Sequence, residues 1–177
     1  MTMDLAKRPL APEPYGLLPP IPGFEVISKT FEEGKALPLG VTGVGDNRSP
    51  ELTWSGFPKE TRSFIVNCFD PDAPTPAGYW HWTVMDIPAS ISSLPEAAGE
   101  SDNTLPGGFH VRNDGNTFAF GGPQPPKGDR AHRYYFAVHA LDVPTLGLDQ
   151  TASPTSVAFN ALFHTLARGV VMGTFKQ

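Results

Sequence analysis

Two segments of the sequence carry polar side chains that packing alone would not require. The first, residues 70–74, reads DPDAP and places two carboxylates two positions apart in a loop stiffened by two prolines. The second, residues 121–133, reads GGPQPPKGDRAHR. A rigid loop of glycine and proline exposes backbone N–H groups, which can receive the oxygens of an anion. Taken alone, each segment is also compatible with an ordinary stiff turn.

Two histidines and a tyrosine supply groups that could complete an anion site. His81 is expected within a strand, while His132 and Tyr134 share one face of another strand, two residues apart. Asp70 ends the strand before the first loop, so these side chains could converge at one rim of a sheet. A carboxylate beside imidazoles raises their pKa and favours imidazolium. Imidazolium, a phenol and loop N–H groups together form a receptor for phosphate or carboxylate.

Other chemistries fit the sequence less well. The same acids and histidines could hold a metal, but no metal-ligand spacing appears and the prolines limit convergence, so we expect no metal site. The sequence has no GxSxG nucleophile elbow, although a hydrolase that uses Asp70 or His81 as a base stays open. Cys68 is expected to be buried and inert within an apolar strand. Structural or solvated roles are expected for the other histidines: His110, His139 and His164.

The elements that must position these groups are mainly strands. Of the 177 residues, 18 are glycine and 20 are proline, and both types break helices. Runs of β-forming residues predict strands at 24–28, 52–54, 63–69, 79–87, 116–120 and 132–141. Strict alternation in the strand at 79–87 would put His81 on the face opposite Trp82. The pattern favours a mainly antiparallel β fold.

The two ends of the chain have patterns of their own. Six prolines in residues 1–22 predict an extended arm, which is followed by a single domain over 23–177. Near the other end, Ser153 before Pro154 is typical of a helix start. Apolar residues from Phe159 to Val170 then recur at helical spacing, which predicts an amphipathic helix that ends near Gly173.

The net charge and the hydropathy of the sequence argue against some classes of binding partner. The formal net charge is −5, so general binding to the phosphate backbone of nucleic acid is not expected. No apolar stretch is long enough to cross a bilayer and no signal-peptide core is visible at the N-terminus, so we expect a cytoplasmic protein. A single cysteine excludes an internal disulfide. The sequence also lacks the glycine motifs of dinucleotide cofactor sites.

Taken together, the two loops and their strands resemble the phosphatidylethanolamine-binding protein family, also called Raf kinase inhibitor-like proteins. The residues that carry the resemblance are DPDAPTPAGYWHW at 70–82 and FGGPQPPKGDRAHRYYFAVHAL at 120–141. The segment SPELTWSGFP at 49–58 and the expected final helix are similar to the bacterial and archaeal branch. The resemblance extends from residue 24 to the C-terminus and implies an antiparallel β-sandwich with peripheral helices, including one amphipathic helix near the C-terminus.

The same resemblance implies which residues bind the ligand. The side chains that line the small anion pocket would be Asp70, Asp72, His81, His132 and Tyr134. Pro126 would form a wall, and the backbone at Gly122 and Gln124 would supply N–H donors. The peptide bond between Ala73 and Pro74 is expected to be cis, as it can be in family members.

Two positions depart from the family pattern. Phe120 stands where many relatives have tyrosine, and Gln124 stands where others have glycine or cysteine. A lost hydroxyl and a bulkier side chain change what the pocket can bind.

The expected function is that of a binding protein without a catalytic role or a cofactor. Its pocket would recognise a phosphate-bearing ligand, which could be a phospholipid headgroup, a nucleotide or a phosphorylated side chain. The alternative is an inhibitor of a protein kinase or a serine protease that acts through a larger protein interface. A homodimer also stays open.

Overall fold

Eight strands and one α-helix make up the fold that the computed structural model describes over residues 4–177. In chain order the strands are β1 (Glu25–Ile27), β2 (Leu52–Ser55), β3 (Ser63–Asp70), β4 (Tyr79–Pro88), β5 (Ser93–Leu94), β6 (Phe109–His110), β7 (His132–Leu141) and β8 (Thr165–Phe175). Helix α1 spans Pro154–Ala161. Short 3-10 helices cover Leu5–Lys7, Tyr15–Leu17, Leu39–Val41, Ala98–Glu100 and Asp102–Thr104.

The strands form two antiparallel sheets with one apolar core between them. The small sheet has the order β1-β2-β5, and the large sheet has the order β6-β4-β3-β7-β8. Both sheets contribute buried side chains to the core, among them Val26, Leu52, Trp54, Leu94, Phe64, Val66, Cys68, Trp82, Phe136 and Val138. Each such large side chain contributes about 1.5–3 kcal/mol by leaving water. The mainly β sandwich is therefore confirmed, and Cys68 is buried as predicted.

Helix α1 covers the outer face of the large sheet. Val157 and Ala161 of the helix pack there in a second cluster with Ile65, Met85 and Leu141. Ser153 caps the helix, because its side chain accepts a hydrogen bond from the Ser156 N–H at 3.1 Å. No helix within residues 4–177 has both the length and the apolar character of a membrane span.

The predicted extent of the C-terminal helix is wrong. The helix ends at Ala161, and the chain then forms the long strand β8, which includes Gly173. Phe159 and Phe163 are 62% and 69% exposed, so the apolar stripe at helical spacing does not face the core. Residues 165–175 instead bury alternate positions and pair along nearly the whole of β7. Sheet pairing across the molecule overrides the local helical pattern.

The segment 116–120, predicted as a strand, is a turn. Asn116 has a positive φ of 69°, which does not occur in a strand. The Asn113 side chain accepts a hydrogen bond from the Thr117 N–H at 3.0 Å and donates to the Thr117 hydroxyl at 2.8 Å. Such local side-chain bonds to the backbone favour turns over strands. The other five predicted strands are confirmed, with ends that differ by at most one residue.

A β-bulge in β4 changes the face on which His81 lies. Trp80 pairs with Phe69 and Trp82 pairs with Cys68, so His81 is an extra residue with no partner across the ladder. The bulge places His81 and Trp82 on the same, inner face, whereas strict alternation predicted opposite faces. Bulges commonly re-aim a side chain beside a functional site.

The proline-rich arm predicted at 1–22 packs against the rest of the chain where the structure describes it. The Arg133 guanidinium donates a 2.6 Å hydrogen bond to the Ala11 carbonyl, and the Tyr15 hydroxyl donates to Asn67 Oδ1 at 2.8 Å. Arg130 donates to the carbonyl of Ala6 at 2.6 Å. Side chains of the domain thus hold the backbone of the arm, and the division into arm and domain stays a prediction.

Because residues 165–175 form a strand, adding a side chain at Gly169 should lower the stability of the protein. A Cβ atom there would lie 2.7 Å from the Phe24 carbonyl oxygen and would also overlap Val26, so β1 would have to move. Replacing Gly169 with alanine should lower the free energy of unfolding by about 1–3 kcal/mol, the usual cost of overpacking. Chemical denaturation measures this change.

Gly23 provides the matched control, because a Cβ atom there would have only an ordinary 3.8 Å contact with Arg168. Gly23→Ala should leave stability nearly unchanged. Equal effects of the two substitutions would contradict the close approach of β1 and β8.

Candidate functional site

A cavity of about 530 Å³ opens at the rim of the large sheet where β3 ends and β4 and β7 begin. Seven of the eight predicted ligand-binding residues line it: Asp70, His81, Gly122, Gln124, Pro126, His132 and Tyr134. Asp70 comes from the end of β3, His81 from β4, and His132 and Tyr134 from the start of β7. Antiparallel pairing places the end of β3 beside the starts of both neighbours, and this brings residues distant in sequence to one cavity.

Asp72 does not line this cavity. Its carboxylate accepts hydrogen bonds from Arg133 Nε at 2.7 Å and from Arg133 Nη2 at 2.7 Å. Burial would raise the pKa of Asp72, but the bonds from Arg133 outweigh it and lower the pKa. This carboxylate binds Arg133 near the start of β7 and faces away from the cavity. The structure therefore does not place Asp72 beside the other predicted ligand-binding residues.

His132 lies between two carboxylates. Its Nδ1 donates to Asp70 Oδ2 at 2.7 Å, and its Nε2 donates to Asp129 Oδ2 at 3.0 Å. Burial lowers the pKa of His132, but the hydrogen bonds with Asp70 and Asp129 outweigh burial and raise it. Both ring nitrogens face carboxylate acceptors, so these contacts favour the imidazolium form, as the sequence predicted.

Arg8 of the N-terminal arm completes this cluster. Its guanidinium donates two hydrogen bonds to the Asp129 carboxylate, at 2.7 and 2.8 Å, and lies 3.3 Å from His132 Nε2. It also donates to the Asp72 carbonyl. The bonds from His132 and Arg8 outweigh burial and lower the pKa of Asp129 to about 2. Two cations and two anions therefore balance at the base of the cavity.

His81 differs from His132 in its charge state. Its Nδ1 donates to the Gly121 carbonyl at 2.6 Å, which leaves the lone pair on Nε2. Burial lowers the pKa of His81, and the hydrogen bond to Gly121 and the charge of Asp70 offset burial only in part. The expectation of imidazolium is therefore wrong for His81, because the bulge that brings it to the cavity also removes it from water.

Tyr134 has a buried hydroxyl without a hydrogen-bond partner among residues 4–177. Its ring stacks on His132 with 6.4 Å between centroids and meets His81 edge-on at 5.2 Å. Burial and the nearby Asp70 carboxylate raise the pKa of Tyr134 well above its ordinary value, so the hydroxyl keeps its proton. A buried donor left without an acceptor is costly, and a ligand in the cavity would supply one.

The upper walls of the cavity contain amide side chains and aromatic rings. The Gly122 N–H donates to Asn47 Oδ1 at 2.6 Å, so this predicted backbone donor is already in use. The terminal NH₂ groups of Asn47 and Gln124 make no hydrogen bond within residues 4–177, and both side chains line the cavity. Tyr79 and Phe120 add aromatic surface.

The loop at 70–74 is closed with trans peptide bonds throughout. No cis bond occurs in residues 4–177, so the expected cis bond between Ala73 and Pro74 is wrong. The Asp72 N–H donates to Asp70 Oδ1 at 2.7 Å, and the Thr75 N–H donates to the Ala73 carbonyl at 2.7 Å. These bonds close the loop in the trans form, which X–Pro bonds favour in general.

Sequence reasoning missed three residues of the site: Arg8, Asp129 and Asn47. Asp129 lies within the loop already singled out, three positions before His132, so its place in that motif was an available signal. Arg8 and Asn47 come from segments distant in sequence, and no local motif marks either of them as a site residue. Within residues 4–177, no three His, Cys, Asp or Glu side chains are grouped as metal ligands would be.

Comparison with known proteins relates the whole arrangement to one family. The family model described as phosphatidylethanolamine-binding protein matches residues 27–176. The UPF0098 protein YbhB of Escherichia coli K12 is 41% identical over 158 residues, covering 86% of this chain and 99% of YbhB. The crystal structure of E. coli YbcL, described as a new member of the mammalian PEBP family, has a TM-score of 0.84 at 39% identity over 87% of this chain and 98% of YbcL. A phosphatidylethanolamine-binding protein homolog of Chlamydia trachomatis, CT736, has a TM-score of 0.77 at 27% identity over 88% and 98% of the two chains.

Because Arg8 contacts the His132 cluster, replacing Arg8 should change the pKa of His132. Arg8→Met removes a cation 3.3 Å from His132 Nε2 and leaves Asp129 with His132 as its remaining cationic partner. The pKa of His132 should rise, as histidine ring resonances followed by NMR across a pH series would show.

Lys7→Met is the matched control, because the Lys7 side chain is 84% exposed and pairs with Asp4. It should leave the His132 titration unchanged. An unchanged or lower pKa in Arg8→Met would contradict the placement of the arm against this cluster.

Proposed function

The chain belongs to the phosphatidylethanolamine-binding protein family, and we propose that it is a non-catalytic binding protein whose cavity recognises phosphate-bearing ligands. The observation that carries this proposal is the buried, unpartnered hydroxyl of Tyr134 beside the unpartnered Nε2 of His81. A phosphate oxygen would accept from the phenol, and a second phosphate oxygen would accept from His81 Nε2 when that nitrogen takes up a proton. One phosphate group thus satisfies both side chains.

The charge balance beneath the cavity supports an anionic ligand. Asp70 and Asp129 would repel phosphate if they were alone, but His132 and Arg8 neutralise them through hydrogen bonds of 2.7–3.0 Å. Burial keeps His81 neutral, and a bound anion would raise its pKa and so favour its protonated form. Anion binding is therefore coupled to protonation of His81.

The size of the cavity supports a phosphate ester over free phosphate. A volume of about 530 Å³ lies within the usual range for small-molecule sites, roughly 300–1,000 Å³. Tyr79, Phe120, Pro74 and Pro126 line it and offer apolar surface to an organic group. A phospholipid headgroup, a nucleotide and a phosphorylated side chain share the phosphate, and parallel titrations with phosphoethanolamine, AMP and phosphoserine would rank them.

A binding role fits the cavity better than hydrolysis. The rings of Tyr79 and Tyr134 both lie against His81, and the raised pKa of each phenol opposes formation of a nucleophilic phenolate. The Thr75 hydroxyl, also in the cavity lining, donates to the Gly78 carbonyl at 2.6 Å. Inhibition of a kinase or a protease, a homodimer and a cytoplasmic location stay predictions.

Tyr134 provides the sharpest test of the binding site. Tyr134→Phe removes only the hydroxyl and should weaken phosphoethanolamine binding about 10- to 100-fold, since a hydrogen bond to a charged group contributes roughly 1.5–3 kcal/mol. Isothermal titration calorimetry measures the change. Tyr135→Phe is the matched control, because Tyr135 lies next in the strand and contacts Arg133 outside the cavity. Equal affinity of Tyr134→Phe and wild type would refute the site.

The protonation of His81 predicts how binding depends on pH. Burial lowers the pKa of His81 and a bound anion should raise it, so affinity should increase as the pH falls from about 8 to about 5. Sulfate is the suitable probe, because it does not itself titrate in this range. His81→Gln should flatten the profile, and a profile that stays steep in this variant would assign the coupled proton to another group.

A further inference from the structure

A second cavity, of about 250 Å³, lies on the opposite face of the large sheet. It is enclosed by the N-terminal arm, the outer face of β3, β4, β7 and β8, and one side of α1. Its walls are mainly apolar and include Leu17, Leu18, Phe69, Trp80 and Leu162. No residue that lines this cavity also lines the phosphate cavity.

Polar groups meet at the floor of this cavity. Arg168 Nε donates to His139 Nδ1 at 3.2 Å, and the guanidinium carbon lies 4.7 Å from the centre of the Tyr15 ring. The Asn67 side chain lies 3.0 Å from His139 Nε2 and accepts from the Tyr15 hydroxyl at 2.8 Å. The four side chains form one connected network beneath apolar walls.

Arg168 is the only charged group in the lining of this cavity. Burial lowers the pKa of His139 to about 3, so its ring is neutral, and burial also raises the pKa of Tyr15. Glu13 is the acidic residue nearest along the arm, and its carboxylate accepts from the backbone N–H groups of Tyr15 and Gly16. No carboxylate within residues 4–177 forms an ion pair with Arg168, and its two terminal amino groups make no hydrogen bond.

We propose that this cavity binds a small monocarboxylate with an apolar body. The carboxylate would pair with the terminal amino groups of Arg168, whose planar fork matches carboxylate geometry. The apolar body would lie against Leu17, Trp80 and Leu162. A half-buried cation without an anionic partner, set among apolar walls, is complementary to an amphiphile that carries a single negative charge.

The dimensions of the cavity restrict the class of ligand. A volume of about 250 Å³ corresponds to about eight water molecules at roughly 30 Å³ each, which is too small for a phospholipid with two chains. A single cation favours one carboxylate over a dianion. Leu17 in the lining is 70% exposed, so the cavity borders solvent at this residue.

Titration of octanoate into the intact protein tests this assignment. Trp80 is in the cavity wall while Trp54 and Trp82 are buried in the core, so octanoate should change the tryptophan fluorescence through Trp80. Arg168→Gln should weaken binding at least about tenfold, as expected for the loss of a charge-assisted hydrogen bond. The control is Arg112→Gln, because Arg112 stacks on Phe118 away from this cavity, and it should bind octanoate as wild type does.

A pair of surface variants covers the case in which Arg168→Gln fails to fold. Leu17→Glu places a negative charge at the exposed edge of the cavity and should weaken octanoate binding, whereas Leu17→Lys should not. Octanol should bind more weakly than octanoate. Absence of octanoate binding, equal binding of octanol, or equal effects of the two Leu17 variants would overturn the proposal.

Binding that is abolished by His81→Ala would also overturn it, because the ligand would then occupy the first cavity. Loss of phosphate binding in that variant with octanoate binding retained separates the two sites. This inference therefore stands or fails independently of the proposed phosphate site.

Discussion

The hydrogen bonds that hold His132 between Asp70 and Asp129 connect the parts of the molecule on which the site depends. Asp70 ends β3, Asp129 belongs to the glycine- and proline-rich loop, and Arg8 brings the arm to the same carboxylate. Removing one partner from a buried set of charges commonly costs about 3–5 kcal/mol, because the remaining charge is left unpaired. The cluster therefore determines the shape of the cavity floor and balances the charges there.

A cavity lies on each face of the large sheet, and the two cavities are lined by different side chains. On the inner face, the bulge at His81 turns an imidazole toward Tyr134 beside the packed core. On the outer face, the neutral ring of His139 supports the Arg168 guanidinium. One sheet can thus carry the two anion sites proposed above, because successive residues of a strand point to opposite sides.

The N-terminal arm lines the second cavity and contacts the charged cluster beneath the first. Arg8 contacts the His132 cluster, and Tyr15 and Leu17 line the second cavity. The arm is held by hydrogen bonds of Arg8 to Asp129, of Tyr15 to Asn67, and of Arg130 and Arg133 to its carbonyl groups. Neither of its 3-10 helices contains a buried residue. Segments of this kind open more readily than core strands. Displacement of the arm would alter the charge balance at one cavity and remove a wall from the other.

The amino-acid sequence by itself determined the β-rich class, five of the strands and the two loops that carry the site, because period-2 patterns and proline- and glycine-rich turns are local signals. Tertiary structure decided what depends on distant partners. Pairing with β7 turned residues 165–175 from an expected helix into a strand, and Arg133 drew Asp72 away from the cavity. The bulge at His81 and the approach of Arg8 to Asp129 likewise arise from contacts across the fold, which no local pattern encodes.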